Sequence, residues 1–191
     1  MSVTGAVKTL ENPARPEGGI GFPRTLGLLV RDKNIHTDTL LATDYLNHFN
    51  EIIMLMELVT DMPDCLEDIQ AWVPKSYAEH FIDTNFANKD LAILAYENAP
   101  QRYRKPFDQI IAQMNEIALH GIKQLSAAVD SGDQAGLATA AAGTIQGLQR
   151  LVEIASAIIH GRELTAAQSE IDMLMGQDTA EPVSEGHTGS D

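Results

Sequence analysis

The sequence predicts an all-α protein, and three observations predict it. Apolar residues recur at helical spacing through several long stretches. The apolar content is carried by Ala, Leu, Ile and Met, while aromatic residues make up only 5% of the chain, a mix that suits helix packing better than β-sandwich strands. No sustained strand-like alternation and no internal repeat is present. At 191 residues, 44% of them hydrophobic, the chain can form one domain with a real core and is too short for two comfortable ones.

The elements follow in order. Residues 1–36 read as a flexible leader, with Pro13, Pro16 and the glycines at 18, 19 and 21, and one apolar patch at Thr25–Val30. The first strong helix is expected from Thr37 or Asp38 to Thr60, on the stripe Leu41, Tyr45, Leu46, Phe49, Ile52, Ile53, Met56 and Val59. Asp61 and Pro63 end it, and a short helix over Asp64–Val73 stops at Pro74. Ser76 with Glu79 is a capping box that opens a helix over Tyr77–Ile82. Another short helix covers Lys89–Asn98. A long one starts near Pro106 and runs to about Val129 on Phe107, Ile110, Ile111, Met114, Ala118 and Leu125.

Asp130-Ser131-Gly132-Asp133 is a helix-to-helix turn, and Gln134–His160 forms the next helix, closed by Gly161. A short amphipathic helix is expected within 162–176, and 177–191 reads as a disordered acidic tail. The domain at 37–161 is expected to be four-helix-bundle-like, with an irregular helical crossover between about 62 and 105.

The chain carries a formal net charge of -14. So negative a surface repels phosphate backbones and anionic lipids, which argues against nucleic-acid and membrane-surface partners and for a partner with a basic patch. One cysteine, Cys65, excludes an internal disulfide framework. No secretory h-region is visible, and the apolar runs fall well short of the roughly 20 residues a membrane span needs. A cytoplasmic location is the expectation.

Few residues offer chemistry. His48 and Glu51 share a helix face at i, i+3, and Glu116 and His120 share another at i, i+4. Carboxylates and imidazoles on facing helices are how ferritin-like bundles hold metal, so these four form an alternative metal set. Their order and spacing depart from Glu-x-x-His. Cys65 lies among Asp61, Asp64, Glu67 and Asp68, which disfavour its thiolate. Arg102, Arg104 and Lys105 form the most basic stretch, expected to pair with neighbouring carboxylates. No cofactor is called for.

The most specific string is Gln168-Ser169-Glu170-Ile171-Asp172-Met173-Leu174-Met175. It resembles the peptide by which the flagellar switch protein FliM, and more loosely the phosphatase CheZ, bind the response regulator CheY. In the pattern Leu-Ser-Gln-x-Glu-Ile-Asp-x-Leu-Leu, Gln168, Glu170, Ile171, Asp172 and Leu174 match, and Met175 replaces the last Leu. Ile171, Leu174 and Met175 fall on one apolar edge at i, i+3, i+4 of a helix.

The CheZ family also carries Phe-Gln-Asp-x-x-Gly-Gln, whose last Gln positions the water that attacks the regulator's aspartyl phosphate. The nearest string is Phe107-Asp108-Gln109-Ile110-Ile111-Ala112-Gln113. Gln113 stands at the catalytic Gln, Asp and Gln are swapped after Phe, and Ala112 replaces Gly. The resemblance thus implies a regulatory or adaptor protein of chemotaxis or motility signalling that binds a response-regulator receiver, with Gln113 and Asp108 as candidate catalytic residues and any metal on the receiver. A structural homodimer whose long helices pair across an apolar face is a further reading.

Overall fold

The computed structural model describes residues 22–162, with side chains from residue 24 onward. Among the described residues the protein is all-α, with seven helices and no strand. They are α1 (Phe22–Leu29), α2 (Asn47–Leu58), α3 (Leu66–Ala71), α4 (Tyr77–Asp83), α5 (Lys89–Glu97), α6 (Gln101–Ser131) and α7 (Gln134–Ile159). Short 3-10 turns at Thr43–Leu46 and Pro63–Cys65 lead into α2 and α3.

The frame is the α6–α7 hairpin. Gly132 takes the left-handed conformation (φ 69°) that ends α6, and the Asp133 carboxylate accepts the Gly136 N–H at 2.9 Å to start α7. Two helices of 31 and 26 residues therefore run antiparallel and pack along much of their length. They come close at Gly121, where a Cβ would collide with the side chain of Thr144. One face of the hairpin is covered by α2, which packs on α7, and by α3, which packs on both α2 and α6. Phe49, Ile52, Met56, Ile69, Met114, Leu125, Leu148 and Ala155 are buried in the shared core. Gln149 to Glu57 (3.3 Å) and Gln134 to the Thr60 carbonyl (3.2 Å) tie α7 to α2 and to the turn that follows it at the surface.

Several boundaries differ from expectation, each for a local reason. The leader gives way to helix at residue 22: Leu26 and Val30 of the Thr25–Val30 patch are fully buried in the main core. The helix expected from Thr37 or Asp38 begins only at Thr43. Between Val30 and Ala42 the backbone makes a tight loop with Asp32, Asn34 and Leu40 at positive φ (62°, 58° and 60°). Leu40 cannot propagate a right-handed helix from there. The loop is instead closed by an Ile35–Ala42 bridge and by the His36 N–H on the Leu41 carbonyl. It grips the end of α7, because the buried Thr39 hydroxyl donates to the Ile159 carbonyl at 2.7 Å.

The long helix α6 starts at Gln101, so Pro106 lies inside it rather than at its first position. Pro100 caps it, its carbonyl accepting from Tyr103 and Arg104 N–H at 2.9 and 3.0 Å. Arg104 lies over the Tyr96 ring and Arg102 over the Tyr103 ring, which anchors this extra turn. The Ser76–Glu79 capping box is formed in both directions.

Candidate functional site

The two candidate catalytic residues sit on different sides of α6. Five residues along a helix advance about 140° around its axis, so Asp108 and Gln113 cannot work as a pair on one turn. Asp108 accepts a hydrogen bond from the Tyr96 hydroxyl at 2.8 Å and faces Arg104 Nε at 3.6 Å. Gln113 lies half-buried on the other flank of α6. Swapping Asp and Gln after Phe107 thus moves the carboxylate out of register. The basic stretch is partly absorbed, as expected, by the Arg104–Asp108 pair.

The four residues of the metal alternative are also kept apart. His48 is buried on α2 and Glu51 exposed beside it; both line a cleft of about 490 Å³ with Asp68 and Trp72. Glu116 and His120 are exposed on α6 and line the groove on the far face of the hairpin. Among the described residues no three His, Cys, Asp or Glu side chains converge as a metal site. Gln168, Glu170, Ile171, Asp172, Leu174 and Met175 lie outside the described residues.

The structure adds an assembly that helical periodicity does not announce. Residues 72–76 form an extended strap between α3 and α4, and side chains pin it to α2. His48 Nε2 donates to the Val73 carbonyl at 3.0 Å, and Trp72 Nε1 returns a bond to the His48 carbonyl at 3.2 Å. The two rings stack at 4.7 Å, 19° from parallel. The Tyr45 hydroxyl donates to the Lys75 carbonyl at 2.6 Å, and the Tyr77 hydroxyl accepts the Ala42 N–H at 2.9 Å. Burial holds His48 down to about 4 and lowers His80 as well, so both imidazoles are neutral at pH 7. Burial raises the Tyr45 and Tyr77 phenols above their ordinary range.

Between this strap and α6 opens a cleft of about 280 Å³, with Lys75 and Asp108 at its edges and Phe107, Ile111 and tyrosine rings in its wall. Tyr96 stacks on Tyr77 at 4.2 Å, 10° from parallel, and carries Arg104 on its ring. Asn115 projects into the same cleft with its Oδ1 buried and without a hydrogen-bond partner. An Asn one turn after Ile111, beside an apolar stripe, is the one sequence signal that could have marked this spot.

On the opposite side, the α6–α7 hairpin carries a groove of about 1000 Å³ that no other described element covers. Its α7 wall is built of small residues, Gly136, Ala140, Gly143 and Gly147, and its α6 wall carries Glu116, His120 and Gln124. No described helix is long and apolar enough to cross a membrane.

No family model matches the chain, and no curated protein or solved structure is significantly similar to it.

Proposed function

We propose that this chain is a cytoplasmic regulatory or adaptor protein that binds a response-regulator receiver through residues 168–175, in chemotaxis or motility signalling. The string Gln168-Ser169-Glu170-Ile171-Asp172-Met173-Leu174-Met175 carries the reading. It begins six residues beyond Arg162, after α7 has closed at Gly161 (φ 71°). The helical domain, which we read as four-helix-bundle-like around α2, α3, α6 and α7, is then the carrier of that peptide. A CheZ-like hydrolysis of the receiver phosphate is the extension, and the separation of Asp108 from Gln113 leaves Gln113 alone to orient water.

The test is calorimetric titration of a purified receiver domain with the full chain and with the chain ended after Gly161. Loss of binding by the shortened chain, with its helical circular dichroism retained, is the expected result. Equal binding by both would sink the proposal. In the same system Gln113→Ala should slow any stimulated loss of receiver phosphate at least about tenfold, the least to expect of a residue that orients the attacking water. An unchanged rate removes hydrolysis from the reading.

A homodimer is the second reading, and the uncovered hairpin face favours it. Gly143 is exposed in mid-helix with nothing within 4 Å of where its Cβ would stand. A bare helix wall of this kind allows close approach of a second hairpin.

A further inference from the structure

Two clusters of exposed apolar side chains, in surroundings of opposite charge, stand on the described surface. The first is on α1. Leu26 and Val30 fix this helix in the core, which turns Leu28 and Leu29 outward at 63% and 56% exposure. Arg24 lies four residues before Leu28 and Arg31 three after it, so both share its face, and Lys33 follows. All three cations are exposed. Against them residues 22–33 hold a single carboxylate, Asp32. The second cluster is the stripe of Met54, Leu58 and Met62 along α2 and the turn after it. Residues 34–74 around that stripe hold eight carboxylates and no lysine or arginine.

Exposed leucines alone call for no partner. Where the chain leaves α7 is what singles out the α1 face. A Cβ on Gly27 of α1 would stand 2.9 Å from the Thr37 carbonyl oxygen, and one on Gly161 would stand 3.7 Å from Thr39 and 3.8 Å from His36. The loop at 30–42 thus joins α1 to the place where residues 163–191 begin. Ile171 is nine residues past Arg162, a reach of about 13 Å as helix and about 30 Å fully extended.

Residues 163–175 carry Glu163, Glu170 and Asp172 and no cation. Their charge matches α1 and opposes the α2 stripe. It also opposes the α6–α7 groove, which carries Glu116 and Asp133 and begins at Gly147, about 20 Å back along α7 from Gly161. Residues 1–21, with two cations and two carboxylates, offer α1 no such match. We propose that the exposed face of α1 is a docking surface for the chain's own residues 163–175. Leu28 and Leu29 meet Ile171, Leu174 and Met175, and the flanking cations face Glu170 and Asp172.

A segment tied this closely sees the face at an effective concentration on the order of 1 mM, so a contact of millimolar strength is occupied about half of the time. A receiver would have to displace α1 to reach the same apolar edge. That consequence rests on the receiver reading; the contact itself does not, and its test needs no receiver.

The test uses the full chain with Cys65→Ser and a nitroxide on Ser169→Cys, a position opposite Ile171 on a helix. The readout is the broadening of leucine and methionine methyl signals in carbon–proton spectra. The nitroxide should broaden Leu28 and Leu29 and spare Met54 and Met62. Arg31→Glu with Lys33→Glu should cut the broadening at least about threefold, with the circular dichroism unchanged because both positions are exposed. Adding Glu170→Arg with Asp172→Arg should restore it. Ile171→Asn with Leu174→Asn, which leaves every charge in place, should cut it as well.

The proposal is overturned by Leu28 and Leu29 signals that stay sharp, or by broadening that spreads equally to Met54 and Met62. Broadening that survives either pair of disruptive substitutions would come from tethering alone and overturns it too, as does a reversed charge pair that fails to restore the effect. A spin-labelled chain that broadens Leu28 and Leu29 of a separate, isotope-marked chain would put a second copy on α1 in place of residues 163–175.

Discussion

His48 shows what a single side chain does here. Its ring is buried between α2 and the strap, stacked on Trp72, and holds the Val73 carbonyl through Nε2–H. Burial is the main cause that pushes its pKa down to about 4; the nearby His80 and Lys75 push the same way, and only the Val73 bond opposes them. The consequence for stability has a definite sign. The unfolded chain takes up this proton near pH 6.5, the folded chain only near 4. Between those values the unfolded state binds more protons, so stability is full above about pH 6.5 and falls as pH drops towards 4. His80 is lowered too, first by burial, and adds in the same direction. The expected loss assignable to His48 is roughly 2–3 kcal/mol across the window. Urea unfolding at pH 7 and at pH 4.5 measures it. His48→Gln should be less stable at pH 7 but should lose at least about 1 kcal/mol less on acidification. Parallel losses in the two proteins would place the acid sensitivity elsewhere.

At the scale of elements, the α6–α7 hairpin is the most extensive of the helix pairings, and its glycines do different work. Gly121 is required by the close approach of Thr144 from α7, and Gly132 by its left-handed turn. Gly143 answers to neither need: it is exposed and its would-be Cβ meets nothing. A mid-helix glycine costs about 0.5–1 kcal/mol relative to alanine. Gly143→Ala should therefore raise the stability of a monomer by that amount in chemical denaturation. If the face instead pairs with a second copy, the methyl groups push the helices apart, and light scattering should show a weakened dimer.

The same hairpin was legible in the sequence because local chemistry wrote it. Asp130-Ser131-Gly132-Asp133 supplied both the stop and the start, and Ser76 with Glu79 marked α4 for the same reason. The loop at 30–42 was not legible. Its apolar residues Leu40, Leu41 and Ala42 continue a helical stripe, and only the positive φ at Leu40 and the grip of Thr39 on α7 reveal that tertiary contacts won. The clefts were hidden for a related reason. Asn115, Tyr96 and Lys75 meet through the irregular crossover, whose path no periodicity encodes.

For the whole molecule, charge is distributed by region. Residues 163–191 contain seven of the 27 carboxylates and none of the 13 lysines and arginines. The string at 168–175, proposed above to bind a receiver, sits inside that stretch, with Glu163, Glu170, Asp172 and Asp178 in or beside it. Within the helical domain, by contrast, Lys75–Asp83, Arg104–Asp108 and Arg150–Glu153 pair opposite charges. If the string docks on a basic receiver surface, long-range attraction should speed encounter, while Ile171, Leu174 and Met175 set the lifetime of the complex. The two contributions separate under salt. The Debye length shrinks from about 10 Å at 0.1 M to about 3 Å at 1 M, so association should slow markedly with added salt while dissociation changes little. Glu170→Gln with Asp172→Asn should reproduce the slow association at low salt. Leu174→Ala should leave association intact and speed dissociation by at least about tenfold, as loss of an apolar anchor does. Stopped-flow association at two salt concentrations decides the matter. An association rate that ignores both salt and the neutralised pair would mean that the acidic stretch plays no part in finding the partner.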